Sequence, residues 1–237
     1  MSLTSADAVR LERCLVGDRI AVIPTDTVYG LACNPASRPA VERIYELKRR
    51  PPRKPSAVMF FALEPALQAL TDLGPRTREA IVALLPGPLT LLLPDPSRRY
   101  PLAEGSSDGD GDGDGDGGDD GGGGGGDGSG GGGAGGTGDT PLFGLRVPVF
   151  SGASAALSAV RLPALQSSAN FSGDPDPRSL CDVPAALRAG ADLVLDGGDL
   201  PGKASTVLDL GAYEHAGEWR IVREGPLGAN EIERMLG

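Results

Sequence analysis

The chain is poor in aromatic residues, histidine and cysteine. Aromatics make up 4% of its 237 residues, so platforms for stacking single-stranded nucleic acid are scarce and the core must be aliphatic. The lone histidine, His215, excludes a multi-histidine metal site, disfavours a His-based triad and is expected at the surface. The cysteines Cys14, Cys33 and Cys181 are widely spaced without a CxxC pair, which predicts neither disulfides nor a zinc site and is typical of a reducing cytoplasm.

Long apolar runs are also missing. The amino terminus is polar and charged from Asp7 to Arg13, and no apolar run is long enough to cross a bilayer. These features argue against a signal peptide or a membrane span, so we predict a cytoplasmic protein with no membrane partner. Hydrophobic residues still make up 40% of the chain, which is enough for one sizeable core.

Lys and Arg are absent from the most acidic stretch. The formal charge is −10, but ten of the 32 acidic residues lie between Glu104 and Asp139, so the remaining 22 balance 22 Lys and Arg. Residues 105–138 are almost only Gly and Asp, which predicts a disordered insertion loop within a single domain spanning 1–237. The spacing of aspartates from Asp108 onwards partly matches the pattern of a calcium-binding loop. Its last ligand is Asp and no predicted helices flank it, so we predict no metal site.

Strands and helices alternate along the rest of the chain. Apolar runs predict strands at 19–23, 57–61, 89–93, 145–149, 163–166, 193–195, 207–210 and 220–222. Helical spacing predicts helices at 6–16, 40–48, 65–73, 77–85, 152–160 and 183–189, and a last one that Asn230 caps; Ser5 is expected to cap the first and Gly17 to end it. The alternation predicts an α/β fold with a twisted mixed sheet flanked by helices.

Polar loops follow two of the predicted strands. The segment Pro24 to Leu31 carries two threonines, an aspartate and a tyrosine, and the segment Ser167 to Gly173 is similarly polar. Ligands of open α/β sheets bind at the carboxyl ends of strands, so these loops predict a polar site, although ordinary turns explain each of them alone. We expect Asp26 to cap the turn that follows it rather than to bind metal, and Tyr29 to be either a core residue or a pocket wall.

A basic cluster lies at the predicted end of the second helix. Five cations fall within the seven residues 48–54, namely Lys48, Arg49, Arg50, Arg53 and Lys54. Cations are mildly favourable at a helix C-terminus, but a helix end does not need five of them. The cluster therefore suggests an anion-binding function.

Seven short motifs, in order, resemble the landmarks of the YrdC-like (TsaC-type) family. They are Pro24-Thr25-Asp26-Thr27-Val28-Tyr29-Gly30-Leu31, Lys48-Arg49-Arg50-Pro51, Pro86-Gly87-Pro88-Leu89-Thr90, Arg146-Val147-Pro148, Ser168-Ala169-Asn170-Phe171-Ser172-Gly173, Ser205-Thr206-Val207 and Arg223-Glu224-Gly225. The resemblance implies a single YrdC-like domain with a concave basic active-site surface. It also implies synthesis of L-threonylcarbamoyladenylate from L-threonine, bicarbonate or CO₂ and ATP, with release of pyrophosphate. The product would pass to a threonylcarbamoyl transferase complex that modifies tRNA.

The resemblance assigns residues to each part of this reaction. The implied catalytic set is Lys48, Arg50, Ser168 and Asn170; the ATP-binding set is Arg50, Lys54, Asn170 and Arg223; the threonine-binding set is Thr27, Arg146, Ser168 and Ser205. Cations and hydroxyls suit a reaction that joins an anion to a polyanion by positioning and electrostatics, with Mg²⁺ carried by the phosphates. Taken alone, Arg146 would be a strand-end salt bridge and Ser205 a turn hydroxyl.

Two features depart from the family pattern. Met59 stands where many members carry a histidine beside the amino-acid pocket, and the Gly/Asp insertion precedes Arg146. The chain also ends soon after Arg223, which leaves no room for the additional C-terminal domain of longer relatives. Two alternatives stay open: a YrdC-like protein that binds tRNA or double-stranded RNA without synthase activity, and an enzyme that transfers a carbamoyl group to another acceptor.

Overall fold

The computed structural model describes residues 2–49, 56–103 and 140–237. The predicted insertion at 105–138, its calcium-like register, Arg50 and Lys54 all lie outside these residues. The single-domain organisation and the concave basic surface therefore stay predictions. None of the helices within the described ranges has the length and hydrophobicity that crossing a bilayer requires.

The strands of the described residues form one mixed sheet. In chain order they are β1 (Ala21–Pro24), β2 (Tyr29–Cys33), β3 (Ala57–Met59), β4 (Leu89–Pro94), β5 (Leu142–Arg146), β6 (Ala164–Ser168), β7 (Leu193–Val194), β8 (Thr206–Asp209) and β9 (Arg220–Arg223). Their order across the sheet is β7-β1-β2-β6-β3-β5-β4-β8-β9. The pairs β1–β7, β3–β5 and β4–β8 are parallel and the others are antiparallel.

Helices flank this sheet, as the sequence predicts. They are α1 (Ser5–Val16), α2 (Arg38–Leu47), α3 (Leu63–Ala69), α4 (Pro75–Leu84), α5 (Ala185–Gly190), α6 (Tyr213–Ala216) and α7 (Ala229–Leu236), with a 3-10 helix at Gly152–Ala159. The predicted α/β class with a mixed sheet flanked by helices is confirmed. The cysteines carry free thiols and His215 is exposed, as predicted.

Two predicted helix caps are each displaced. Thr4, not Ser5, caps α1, because its N–H and hydroxyl donate to the Asp7 carboxylate at 2.9 and 2.8 Å. Gly228, not Asn230, precedes α7, and its N–H donates to the Glu231 carboxylate at 3.1 Å. In both helices an acidic residue in the first turn accepts the N–H that the helix itself leaves unpaired.

The strand β2 is absent from the predicted elements. The sequence places residues 24–31 in one loop, but Pro24 pairs with Tyr29, so β1 and β2 form a hairpin whose turn is only residues 25–28. Because β2 also pairs with β6, the polar turn of the hairpin lies beside the end of β6. The two polar loops that the sequence singled out are thereby brought to one edge.

The two faces of the sheet differ in what covers them. One face holds the larger core, including Leu31, Val58, Leu145 and Leu165, under helices that include α2 and α4. On the other face a smaller cluster contains Ala21, Ile23, Ala32, Met59 and Ala164 together with residues of α1 and of the 3-10 helix. Side chains alternate between faces along a strand, so strand pairing puts further residues on that second face. They are small or polar: Gly30, Ala57, Gly144, Arg146, Gln166 and Ser168.

Candidate active site

Arg146, at the end of β5, is held by the turn of the β1–β2 hairpin. Its Nη2 donates to Asp26 Oδ1 at 2.6 Å and to Thr27 Oγ1 at 3.0 Å. The other Asp26 oxygen accepts the Val149 N–H at 3.2 Å. The strand-end salt bridge considered for Arg146 is therefore present, and it is a buried one, with side chains only 4% and 9% exposed.

The prediction that Asp26 caps the turn that follows it is wrong, because its two carboxylate oxygens accept from Arg146 and from Val149. Thr25 has that role, because its Oγ1 accepts the N–H of Thr27 at 3.2 Å and of Val28 at 3.3 Å, and donates to Val28 O at 2.7 Å. A threonine hydroxyl can form this local turn in place of an aspartate. Asp26 is left to point across the turn at the guanidinium of Arg146.

Burial dominates the electrostatics of this ion pair. Desolvation lowers the pKa of Arg146 and raises the pKa of Asp26, while each partner's charge opposes the shift in the other. The charge of Arg223 also lowers the pKa of Arg146. Arg146 Nε is buried with no acceptor in the described parts of the chain. An anion bound here would supply the acceptor that this N–H lacks.

Gln166 belongs to this group, although the sequence predicted no site role for it. Its Oε1 accepts a hydrogen bond from Arg146 Nη1 at 3.3 Å. Met59 pairs with Arg146 in the β3–β5 register and is fully buried in the cluster that includes α1. The signal that could have found Gln166 is its position two residues before Ser168, on the same face of β6.

The structure brings Lys48, Ser168 and Asn170 together, as the motifs imply. Lys48 ends α2 and is only 2% exposed; its Nζ donates to Ser168 O, to Asn170 O at 2.9 Å and to Asn170 Oδ1 at 3.2 Å. Ser168 Oγ donates to Asn170 Oδ1 at 2.6 Å, and Asn170 Nδ2 donates to Asp174 O at 2.6 Å. The lysine ammonium thus holds the loop that carries the other two side chains.

The residue after Lys48 adds a second contact to the same loop. Arg49 has a φ of 52°, in the left-handed region that few non-glycine residues occupy. Its guanidinium lies 5.1 Å from the centre of the Phe171 ring, a cation–π distance. The Ser172 N–H also donates to Lys48 O at 3.4 Å. The end of α2 and the loop after β6 are therefore fastened together.

Ser205 and Arg223 form a third group at the β8–β9 end of the sheet. Arg223 Nη2 donates to Ser205 O at 2.9 Å and lies 3.3 Å from Ser205 Oγ. Ser205 Oγ is also 2.8 Å from Thr90 Oγ1, a residue of the quoted motifs that has no predicted role. Burial lowers the pKa of Arg223. Every predicted site residue that lies within the described ranges belongs to one of these three groups.

Tyr29 is a core residue that anchors a surface turn. Its ring is part of the larger core, and its hydroxyl accepts the Gly197 N–H at 3.0 Å and lies 2.8 Å from Gly198 O and 3.1 Å from Asp196 Oδ1. Burial raises the pKa of the hydroxyl to about 12, so it stays protonated and can donate. The structure places it in the core and shows a structural role for it.

Tyr29→Phe is expected to lower the free energy of unfolding by about 1–3 kcal/mol, because it leaves the polar groups of the 196–198 turn without their partner. Urea unfolding measures this loss. The matched control is Tyr213→Phe, since the Tyr213 hydroxyl makes no hydrogen bond with the described residues. Equal losses in the two variants would show that the Tyr29 hydroxyl does not hold the turn.

Comparisons with known proteins agree on one family. The Sua5/YciO/YrdC family model, described as telomere recombination, matches residues 13–110 and 135–225. A threonylcarbamoyl-AMP synthase of Hahella chejuensis is 39% identical over 89 residues, which are 38% of this chain and 48% of the relative. One of Pyrococcus abyssi is 29% identical over 221 residues, which are 92% of this chain and 54% of the relative. The chain spans about half the length of these two relatives.

A solved structure supports the same similarity across the fold. The crystal structure of P. abyssi Sua5 complexed with L-threonine superposes with a TM-score of 0.74 at 26% identity, covering 100% of this chain and 59% of the other. The arrangement of the mixed sheet described above is therefore shared with a protein that binds L-threonine.

Proposed function

Because the chain belongs to the Sua5/YciO/YrdC family, we propose that it is a threonylcarbamoyl-AMP synthase that joins L-threonine, bicarbonate or CO₂ and ATP and releases pyrophosphate. The single observation that carries the proposal is the buried Arg146, which has hydroxyl, amide and carboxylate partners and one N–H with no acceptor among the described residues, on the face of the sheet that also carries Gln166 and Ser168. A nucleotidyltransferase of this kind needs oriented anion-binding groups more than a covalent nucleophile.

The proposed threonine site consists of Thr27, Arg146, Ser168 and Ser205. A guanidinium suits the carboxylate of the amino acid, and Arg146 Nε has the unpaired donor that such a ligand requires. Hydroxyls suit recognition of a small polar side chain, because a site built to hydrogen-bond a hydroxyl rejects ligands without one. The P. abyssi relative, whose structure was solved with L-threonine, supports L-threonine as the substrate, and the residues named here are our assignment.

The proposed ATP site combines Asn170 and Arg223 with Arg50 and Lys54, which lie outside the described residues. We assign Lys48 to the catalytic set with Arg50, Ser168 and Asn170. Its ammonium donates to the loop that carries Ser168 and Asn170, so it would act by holding that loop and by adding positive charge. Mg²⁺ would be carried by the phosphates, since both oxygens of Asp26 are engaged by Arg146 and Val149. The proposed product is handed to a transferase complex that modifies tRNA in the cytoplasm.

Pyrophosphate release from ATP and bicarbonate, with and without L-threonine, tests this proposal. We expect release that depends on threonine, and we expect Arg223→Met to raise the KM for ATP by about 10-fold through loss of a charge-assisted contact. The matched control is Arg220→Met, which removes an arginine of the same strand whose side chain is 74% exposed.

The outcomes separate the alternatives. Folded wild-type protein that releases no pyrophosphate but binds double-stranded RNA with a steep salt dependence would favour the RNA-binding alternative. Release that ignores threonine would favour transfer to another acceptor. An equal KM for ATP in the Arg220 and Arg223 variants would remove Arg223 from the proposed ATP site.

A further inference from the structure

Gln166 is a buried amide on the face of the sheet that carries the proposed site. It is 4% exposed and lies on β6, two residues before Ser168. Its Oε1 accepts from Arg146 Nη1 at 3.3 Å, whereas Asp26 and Thr27 accept from Nη2. Acceptors on two different nitrogens fix the plane of a guanidinium, because the group is rigid and planar.

Gly30 leaves the space that the Gln166 side chain occupies. It lies in β2 and its φ is outside the left-handed region, so its backbone accepts other residues. A Cβ at this position would clash with Gln166 Nε2 and would lie 3.2 Å from its Cδ and Cγ. The glutamine side chain would have to move if Gly30 became larger.

We infer that Gln166 is a positioning residue that orients Arg146 for the carboxylate of L-threonine, and that Gly30 keeps the space this requires. The inference rests on the proposed function, because Arg146 matters to catalysis only as a ligand of the substrate. A neutral amide suits this role. An apolar side chain would leave Nη1 without its acceptor, and a carboxylate would compete with the substrate for the guanidinium.

Three single variants and one double variant test the inference by calorimetric titration with L-threonine and by steady-state kinetics. Gln166→Ala and Gly30→Ala are each expected to raise the Kd for L-threonine about 5- to 10-fold, the usual effect of one hydrogen bond. The KM for ATP should not change. Because Gly30→Ala acts only by displacing Gln166, the double variant should bind no more weakly than Gln166→Ala alone. Gln166→Glu, which is nearly isosteric, should weaken binding more than Gln166→Ala does.

The matched control is Gln68→Ala, which removes an exposed glutamine on α3. A wild type that does not bind L-threonine overturns the proposed function, and this inference with it. A wild type that binds L-threonine while Gln166→Ala binds it equally tightly overturns the inference alone. Full additivity of the Gly30 and Gln166 effects also overturns it, since Gly30 would then act on something other than Gln166.

Discussion

Arg146→Met is expected to lower the affinity for L-threonine by about 100-fold or more and to lower the free energy of unfolding by about 3–5 kcal/mol. Both effects have the same physical cause. The side chain is 4% exposed and its guanidinium is paired with a carboxylate that is 9% exposed, so its removal leaves Asp26 charged and unpaired in a dry environment. Calorimetry with L-threonine measures the first effect and urea unfolding the second.

The destabilisation of this variant should depend on pH. In the wild type, burial raises the pKa of Asp26 above its usual 3.8 and the charge of Arg146 opposes that rise. Without Arg146 the pKa of Asp26 should rise further. A carboxyl whose pKa is higher in the folded than in the unfolded state binds a proton on folding, so stability falls as pH increases through the folded-state pKa. The free energy of unfolding that Arg146→Met loses relative to the wild type should therefore be smaller at about pH 5 than at about pH 8.

A double variant separates the two consequences of losing Arg146. Asp26→Asn combined with Arg146→Met removes the unpaired carboxylate. Much of the lost free energy of unfolding should therefore return, and the difference from the wild type should no longer depend on pH through Asp26. Threonine affinity should stay low, because the ligand for the substrate carboxylate is still missing. A double variant no more stable than Arg146→Met would show that the unpaired carboxylate is not the cause. Wild-type threonine affinity in either variant would remove Arg146 from the proposed site.

The sequence predicted those strands whose apolar runs are continuous. The runs at 57–61 and 89–93 correspond to β3 and β4 with small shifts at their ends. A strand that is buried on both faces is a continuous apolar run, so it can be predicted without knowing which strands it pairs with. The strand β2 was missed because Tyr29 to Cys33 follows a polar turn of only four residues. Whether the chain turns back there depends on pairing with β1 and β6, which no local pattern reports.

The motifs predicted that Lys48, Ser168 and Asn170 gather, but not how the candidate site residues contact one another. Lys48, Ser168 and Asn170 are hydrogen-bonded, as their separate motifs imply. The partners of Arg146 were not predictable, because Asp26 reaches it across a hairpin turn and Gln166 reaches it across the β6–β3–β5 ladders. Such contacts depend on strand register, and a shift of one residue would have put Gln166 on the opposite face.

Lys48→Met is expected to lower kcat for pyrophosphate release by about 100-fold, because small misplacements of catalytic groups have effects of this size. Methionine is similar in length but cannot donate to Ser168 O, Asn170 O or Asn170 Oδ1. The loss of these hydrogen bonds from a lysine that is 2% exposed should also lower the free energy of unfolding by about 1–3 kcal/mol. Steady-state kinetics and urea unfolding measure the two effects.

A second substitution distinguishes the two contributions of Lys48. Lys48→Arg keeps the positive charge but replaces a compact ammonium by a planar fork that does not match the three oxygens of the loop. If Lys48 acts by holding Ser168 and Asn170, Lys48→Arg should be nearly as impaired as Lys48→Met; if only its charge matters, arginine should restore most of kcat. Lys203→Met, at an exposed lysine, should change stability by no more than about 0.5 kcal/mol. Wild-type kcat and stability in Lys48→Met would contradict both contributions. The loop would then keep its geometry without the ammonium of Lys48.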